Sequence, residues 1–344
     1  MAKQSSRAGR RINVLFTCIG RRVSLLESFR RAARELKLDA SFFGTDKTEL
    51  SSALQLCDRR FLVKPTTHPR YIAELLSIVK ANKVRLLVPT VDLDLRALAQ
   101  NKAKFAAAGC RVLVSEPHVI DICQDKRKTY KFLRKNNFDT PTTLSIQTAL
   151  RNLKNRPSSV VHRPSETRFP LFLKPWDGYA SRGNAIVNSR QELVFYSRRI
   201  PNAICQELVR GAEHTCDVYV DFDMKVRCVV PRRRIETRAG EVSKGQTVKD
   251  RRIMAEAVAL VEKLGAGPGV ITLQLFLTDD DKMKFVEINP RFGGGGPLSI
   301  KAGANFPKWI LQELTGRKPN IRPDRFRDNL IMLRYDSEVW LEGS

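Results

Sequence analysis

The 344-residue sequence contains no uninterrupted apolar run approaching the length of a membrane span, and no signal-peptide apolar core follows its first residues. Its seven cysteines are dispersed without a C-x-x-C pair, and its four histidines do not cluster with them. That pattern argues against a structural zinc site and predicts reduced thiols in a cytoplasm. Cys18, Cys205 and Cys228 sit inside apolar runs, as core thiols do. Acidic side chains are scarce: 36 Asp and Glu stand against 61 Lys and Arg, for a net charge of +25 spread over both halves of the chain. Such a field draws in anionic ligands and promotes non-specific contact with nucleic acid or membrane surfaces. A general preference for arginine explains the charge equally well. No aromatic-interleaved RNA-binding pattern accompanies it, so nucleic acid is a secondary partner reading.

Met1 to Arg11 is polar, basic and acid-free, and predicts a disordered tail. Its Ser and Arg would suit a transit peptide, but the amphipathic apolar face of one is missing. The length and the 42 % apolar fraction predict two or three globular units. From Ile12 onward strands alternate with helices. Strands are expected at Ile12–Cys18, Ala40–Gly44, Arg85–Pro89 and Arg111–Ser115, and helices at Val23–Leu36, Tyr71–Lys80 and Leu93–Ala108. The alternation predicts a parallel, Rossmann-like sheet. Gly20 with Asp46 suggests a dinucleotide fingerprint, but the loop has one glycine where that fingerprint needs three, which rejects a nicotinamide cofactor. Thr17, Arg21, Asp46, Asp92 and Asp94 fall at strand carboxyl ends, where open sheets bind ligands, and are candidate substrate contacts.

Beyond Glu116 the pattern changes. A short helix at Pro117–Cys123 precedes one opening at Asp125-Lys126 and running through Leu133. A lysine in a first helical turn opposes the macrodipole, so Lys126 is either a solvated charge or an anion clamp. Arg151 to Arg168 reads as a surface excursion. Phe169–Pro175 is an expected strand with Lys174 toward its end, and the loop that follows carries Gly178, Ser181 and Gly183. Loops of this kind can cover a triphosphate with backbone N–H groups. A further strand ends at Glu207, Leu208 and Val209, with Glu213 shortly after. A hairpin is expected from Cys216–Asp221 and Lys225–Pro231. Arg232 to Arg234 then read as a flap over an anion or as a solvated turn.

The most informative stretch runs from Gly269 to Gly296. Val270–Leu277 and Met283–Ile288 read as two strands joined by the acidic turn Asp279-Asp280-Asp281. Glu287 and Asn289 are an i, i+2 pair, so the pleat points both the same way, and Gln274 can share that face. A carboxylate beside amide oxygens suits Mg²⁺ completed by phosphate oxygens, and Arg291 can offer a guanidinium fork to the same phosphates. Any one of these residues is better explained as the wet face of an ordinary hairpin. Glu-x-Asn-x-Arg followed by four glycines favours a phosphate site.

The ordered set Asp125-Lys126, Lys174 before a glycine loop, Glu207-Leu208-Val209, Glu213, Gln274 and Glu287-x-Asn289-x-Arg291 resembles the ATP-grasp superfamily, most of all the synthetase halves of the carbamoyl phosphate synthetase large subunit. The resemblance covers about residues 12 to 316. It implies an α/β and α+β fold class, with an N-terminal parallel-sheet (pre-ATP-grasp, Rossmann-like) domain preceding a two-lobed ATP-grasp fold. The implied division is a tail at 1–11, the first domain at 12–118, a small lobe at 119–200 and a large lobe at 201–344. It further implies that Lys126 and Lys174 grip the nucleotide phosphates under the loop with Gly178, Ser181 and Gly183. Glu207, Leu208 and Val209 would meet adenine, and Glu213 the ribose. Gln274, Glu287 and Asn289 would hold Mg²⁺, one or two ions, for which Mn²⁺ can substitute, while Arg291 and Lys174 assist catalysis. The loop has fewer glycines than many relatives, which leaves its path over ATP open.

The expected activity is a cytoplasmic, ADP-forming ligase that activates a carboxylate as an acyl phosphate for an amine or thiol. Its partners would be small-molecule acids and amines, anionic ones favoured by Arg232 to Arg234 and Arg238, and a homo-oligomer is compatible with this reading. The alternatives are a carbamoyl-phosphate or biotin-carboxylase-like enzyme phosphorylating bicarbonate or carbamate, and a non-catalytic nucleotide- or polyanion-binding protein.

Overall fold

The computed structural model describes residues 11–154, 168–178 and 183–343. The first ten residues of the expected tail therefore lie outside the described residues, as does Ser181. Among the described residues no helix is long and apolar enough to cross a membrane.

Five strands form an all-parallel sheet: β1 (Ile12–Thr17), β2 (Ala40–Asp46), β3 (Arg59–Leu62), β4 (Val84–Pro89) and β5 (Arg111–Val112), in the order β3-β2-β1-β4-β5. β1 and β4 are buried almost throughout because helices cover both faces of such a sheet, which is why they read as near-continuous apolar runs. The helix Val23–Glu35 contributes Leu25, Leu26, Phe29, Ala32 and Ala33 to the core, the spacing of one helical face. The chain leaves β1 to one side for β2 and β3, and reaches β4 and β5 on the other. The carboxyl ends of β1 and β4 thus flank the crevice where doubly wound sheets bind ligands.

Two local expectations change here. The helix foreseen over Leu93–Ala108 is two short helices, Leu95–Gln100 and Lys102–Ala107. Asn101 separates them, its amide donating to the Ala97 carbonyl (2.9 Å) in competition with the backbone ladder. The strand foreseen over Arg111–Ser115 pairs only at Arg111–Val112.

A four-stranded antiparallel sheet follows, made of β6 (Thr143–Ser145), β7 (Leu171–Pro175), β8 (Ala185–Val187) and β9 (Ala203–Glu207) in the order β6-β9-β7-β8. Its own core gathers Leu171, Leu173, Val187, Leu193 and Cys205 with Ala149. The excursion expected from Arg151 begins as the end of a helix, Ile146–Lys154, and residues 155–167 lie outside the described residues. That helix forms because Ile146, Ala149, Leu150 and Leu153 lie along one face and pack on this core.

The third sheet is antiparallel with six strands: β10 (Ala212–Val220), β11 (Val226–Arg238), β12 (Glu241–Thr247), β13 (Gly269–Leu277), β14 (Met283–Asn289) and β15 (Ile331–Leu333), in the order β14-β13-β10-β11-β12-β15. The helix Arg251–Leu264 covers one face. It starts at Asp250, whose carboxylate accepts from the N–H groups of Arg252 and Ile253, and stops at Gly265 in the left-handed conformation (φ 67°). The hairpin strand foreseen to end at Pro231 continues to Arg238. Arg232 to Arg234 therefore lie within β11 and pair with β10 and β12, which corrects the flap or solvated-turn reading. One continuous apolar cluster, with Phe16, Phe29, Tyr219, Val230, Phe292, Phe306 and Trp309, joins the parallel sheet to this one. The two form a single packed body, and the four-stranded sheet keeps a core of its own.

Candidate active site

A cleft of about 640 Å³ opens where the three sheets meet. Lys126 enters it from the helix Lys126–Lys135, whose N-cap Asp125 accepts from the Arg127 N–H and also pairs with the Arg127 guanidinium. Lys126 Nζ donates to the Gly178 carbonyl at 2.5 Å and lies 3.9 Å from Glu287 Oε1. Lys174, near the end of β7, is only 8 % exposed. Burial pushes its pKa down to about 8, against the pull of Glu287 and with a further push from Lys126. Gly178 and Gly183 both stand against the Pro175 ring at the base of the loop between them. Of the expected loop contacts, only Gly178 and Gly183 belong to the described residues.

The hairpin of β13 and β14 supplies the opposite wall. Gln274 faces Glu287 and Thr272 faces Asn289 across the ladder, and Gln274, Glu287 and Asn289 all line the cleft. The Gln274 amide donates to Glu213. Arg234 Nε lies 3.2 Å from the same Glu213 oxygen without hydrogen-bond alignment. Among the described residues the Glu287 carboxylate accepts no hydrogen bond, and Lys126 is its ion-pair neighbour. Asn289 Oδ1 accepts from Arg291 Nη2 at 3.2 Å. Arg291 is otherwise held by Asp92 of the parallel-sheet domain, through Nε at 3.0 Å and Nη2 at 2.5 Å, and by the Phe292 carbonyl at 3.1 Å. Burial opposes the Arg291 charge, but Asp92, Glu287 and Glu241 together hold the pKa above the ordinary value.

No group of three or more His, Cys, Asp or Glu side chains among the described residues is arranged to hold a metal ion by itself. One carboxylate that accepts no hydrogen bond among the described residues, beside two amide oxygens, is a hard donor set that fits a cation completed by phosphate and water oxygens. Gln274, Glu287 and Asn289 are thus the residues that could hold Mg²⁺ beside a polyphosphate.

At the other end, Glu207, Leu208 and Val209 line the cleft. The Glu207 carboxylate pairs with Lys284 and accepts from the Thr142 N–H at 3.1 Å. Strand pairing stops at Glu207, so the backbone of Leu208 and Val209 runs on along the cleft beyond the ladder. Phe172, Phe276 and Val286 supply apolar walls there. The structure therefore brings Lys126, Lys174, Gly178, Glu207, Leu208, Val209, Glu213, Gln274, Glu287, Asn289 and Arg291 to one cleft.

Of the five strand-end contacts expected in the parallel sheet, only Asp92 lines the cleft. Thr17 and Asp94 are fully buried and bonded to each other at 2.6 Å, with Tyr71 donating to the same Asp94 oxygen at 3.1 Å. Asp46 receives the Gly20 N–H (2.9 Å), and the Arg21 side chain is 83 % exposed. These four hold the sheet or face solvent. Arg22 lines the cleft in place of Arg21, and Arg232 and Arg234 reach it from β11. No local signal separates Arg21 from Arg22, because adjacent residues of a turn differ only in which way the fold points them.

Comparison with known proteins agrees with this fold. The profile of the PylC-like N-terminal domain matches residues 14–113, and that of the ATP-grasp domain matches residues 123–295. No curated protein sequence matches the chain. The biotin carboxylase domain of Hydrogenobacter thermophilus 2-oxoglutarate carboxylase, solved with MgADP, ADP and bicarbonate, is similar in structure. Its TM-score is 0.71 at 14 % identity, over 92 % of this chain and 73 % of that one. The L-amino acid ligase of Bacillus licheniformis has a TM-score of 0.66 at 18 % identity, over 92 % of this chain and 78 % of that one. N5-carboxyaminoimidazole ribonucleotide synthetase of Thermotoga maritima has a TM-score of 0.63 at 17 % identity, over 92 % and 78 %. At these identities the likeness is one of fold.

Proposed function

Because the chain belongs to the ATP-grasp family, we propose that it is an ADP-forming ligase that activates a carboxylate with ATP and joins it to an amine. The observation that carries this reading is the convergence, from separate elements, of Lys126, buried Lys174 and the Glu287 carboxylate, which among the described residues accepts no hydrogen bond, on one cleft. On this reading residues 12–118, 119–200 and 201–344 are the preceding domain, the small lobe and the large lobe. All seven cysteines are free thiols, which favours a reducing compartment, the cytoplasm.

Lys126 and Lys174 bind the nucleotide phosphates beneath the loop between Gly178 and Gly183, whose Ser181 is a further contact. Leu208 and Val209 offer backbone groups to adenine between the apolar walls, Glu207 buttresses that segment through Lys284, and Glu213 meets the ribose hydroxyls. Gln274, Glu287 and Asn289 would hold Mg²⁺, which when bound neutralises charge on the transferred phosphoryl group; Mn²⁺ suits the same oxygens. Arg291 stands at the end of that row and takes up charge on the γ-phosphoryl oxygens. A substrate carboxylate oxygen bonds to the γ-phosphorus, the bridging P–O bond breaks, and ADP leaves. The amine nitrogen then bonds to the acyl carbon, phosphate leaves with the C–O bond pair, and the ammonium proton passes to solvent. The protein's share is positioning and charge stabilisation, as phosphoryl transfer requires, together with exclusion of water from the acyl phosphate.

ADP release that requires a carboxylate and an amine together tests the reading; release independent of both would refute it. A second reading, phosphorylation of bicarbonate, is favoured by the likeness to a biotin carboxylase domain solved with bicarbonate. ADP release with bicarbonate alone would select it. The polyanion-binding reading rests on net charge alone and gains no support from these relatives.

A further inference from the structure

Arg22 differs from the other arginines of the cleft in having no committed partner. Arg291 is tied to Asp92, Asn289 and a carbonyl, and Arg232 is tied to Asp217 through two bonds of 2.8 and 3.0 Å. The Arg22 guanidinium, 21 % exposed, makes no hydrogen bond among the described residues. Its only ion-pair neighbour there is Glu241 Oε1 at 3.5 Å. A guanidinium carries five N–H donors in a fixed fork, and leaving them half-buried and unpaired is costly.

Glu241 does not neutralise the position, because it also takes Arg334 at 3.1 Å and Arg21 at 4.0 Å. Burial lowers the Arg22 pKa, and Arg291 and Arg334 lower it further, against the pull of Glu241 and Asp92, which leaves it below the ordinary value. The chain makes room for the fork. A Cβ at Gly294 would stand 2.9 Å from Arg22 Nη1 and 3.2 Å from the Glu241 carboxyl carbon, so a side chain there would displace it. Arg22 also sits at the carboxyl end of β1, beside the crevice between β1 and β4, in the same cleft as Asp92 and Arg291.

We propose that Arg22, steadied by Glu241 and fitted against Gly294, is the specificity-determining receptor for a spectator carboxylate on the small substrate, which is therefore an amino acid or a dicarboxylic acid. The choice of a carboxylate rests on the ligase reading. The reacting group would lie toward Arg291 and the second carboxylate would meet the Arg22 fork, a planar, bidentate match.

The test is calorimetric titration of the full chain, saturated with Mg²⁺ and a non-hydrolysable ATP analogue. The probes are L-alanine, L-aspartate, succinate, succinamide and glycerol 1-phosphate. At least one carboxylate probe should bind the wild type, and succinamide should not. The Kd of the bound carboxylate should rise about tenfold or more in Arg22→Met, the scale of one charge-assisted contact, with the analogue's own Kd unchanged. Arg22→Lys, which keeps the charge and loses the fork, should fall between and carries the test if the methionine variant does not fold. Equal carboxylate affinity in variant and wild type, no carboxylate binding at all, or binding of the phosphate ester alone would each overturn the proposal. Parallel ADP-release assays separate the two ideas. Arg22-dependent carboxylate binding without turnover sinks the ligase reading alone. Turnover with Arg22-independent affinity sinks this proposal alone.

Discussion

Two arginine–carboxylate pairs stand on either side of the glycine turn at residues 293–295, and they are built to opposite ends. Arg232 and Asp217 are 1 % and 0 % exposed. Thr272 (3.2 Å) and Ser299 (2.6 Å) donate further hydrogen bonds to the Asp217 carboxylate. Arg22 and Glu241 stand 3.5 Å apart and remain open to the cleft. A buried pair offsets its desolvation only when its geometry is good and further hydrogen bonds satisfy its oxygens, as Arg232, Thr272 and Ser299 together do for Asp217. The open pair gains little by itself and keeps its donors. The dry pair ties β10 to β11 behind the turn, and the wet pair is left for chemistry.

The largest expected effect comes from breaking the dry pair. Arg232→Met leaves Asp217 charged and buried, and should lower unfolding stability by about 3–5 kcal/mol in a urea titration. A loss under about 1 kcal/mol would show that the pair is no clamp. Next, Glu287→Gln should cut ADP release by about 10²–10³-fold, the usual cost of losing one transition-state electrostatic contact, with little change in stability. Turnover near wild type would remove Glu287 from the proposed phosphate site.

Smaller in size is a pH effect at Lys174. Its folded pKa is lowered, to about 8. The ammonium proposed to grip phosphate is therefore present below that value and lost above it. Affinity for a non-hydrolysable ATP analogue should fall by up to about tenfold per unit as pH rises past 8. Lys174→Arg should flatten the profile, and an unchanged slope in that variant would assign the titration elsewhere. Smallest of all, Glu241→Gln should cost less than about 1 kcal/mol of stability, since half-exposed pairs contribute little. A loss matching that of Arg232→Met would erase the distinction between the two pairs.

Much of the frame was legible along the chain. β1, β2 and β4 announce themselves as apolar runs. The hairpin of β13 and β14 is readable because alternation and an acidic turn specify both strands, and the i, i+2 spacing of Glu287 and Asn289 fixes their common face. The misses share a cause. Arg232 to Arg234 look like solvated charge because arginine usually is, and the bonds from Arg232 to Asp217, two residues along from its partner Thr215 on β10, make its burial tolerable. The break at Asn101 turns on one side-chain bond that a helical pattern does not reveal.

The sequence by itself determined which segments could be strands or helices, and which side chains share a face, because those depend on a repeat of two or 3.6 residues. Only the tertiary structure decided partners. Arg291 meets Asp92 across 199 positions of chain, and Arg22 rather than Arg21 turns into the cleft. Both follow from the apolar cluster that fastens the parallel sheet to the antiparallel one, a contact between distant segments that no local repeat encodes.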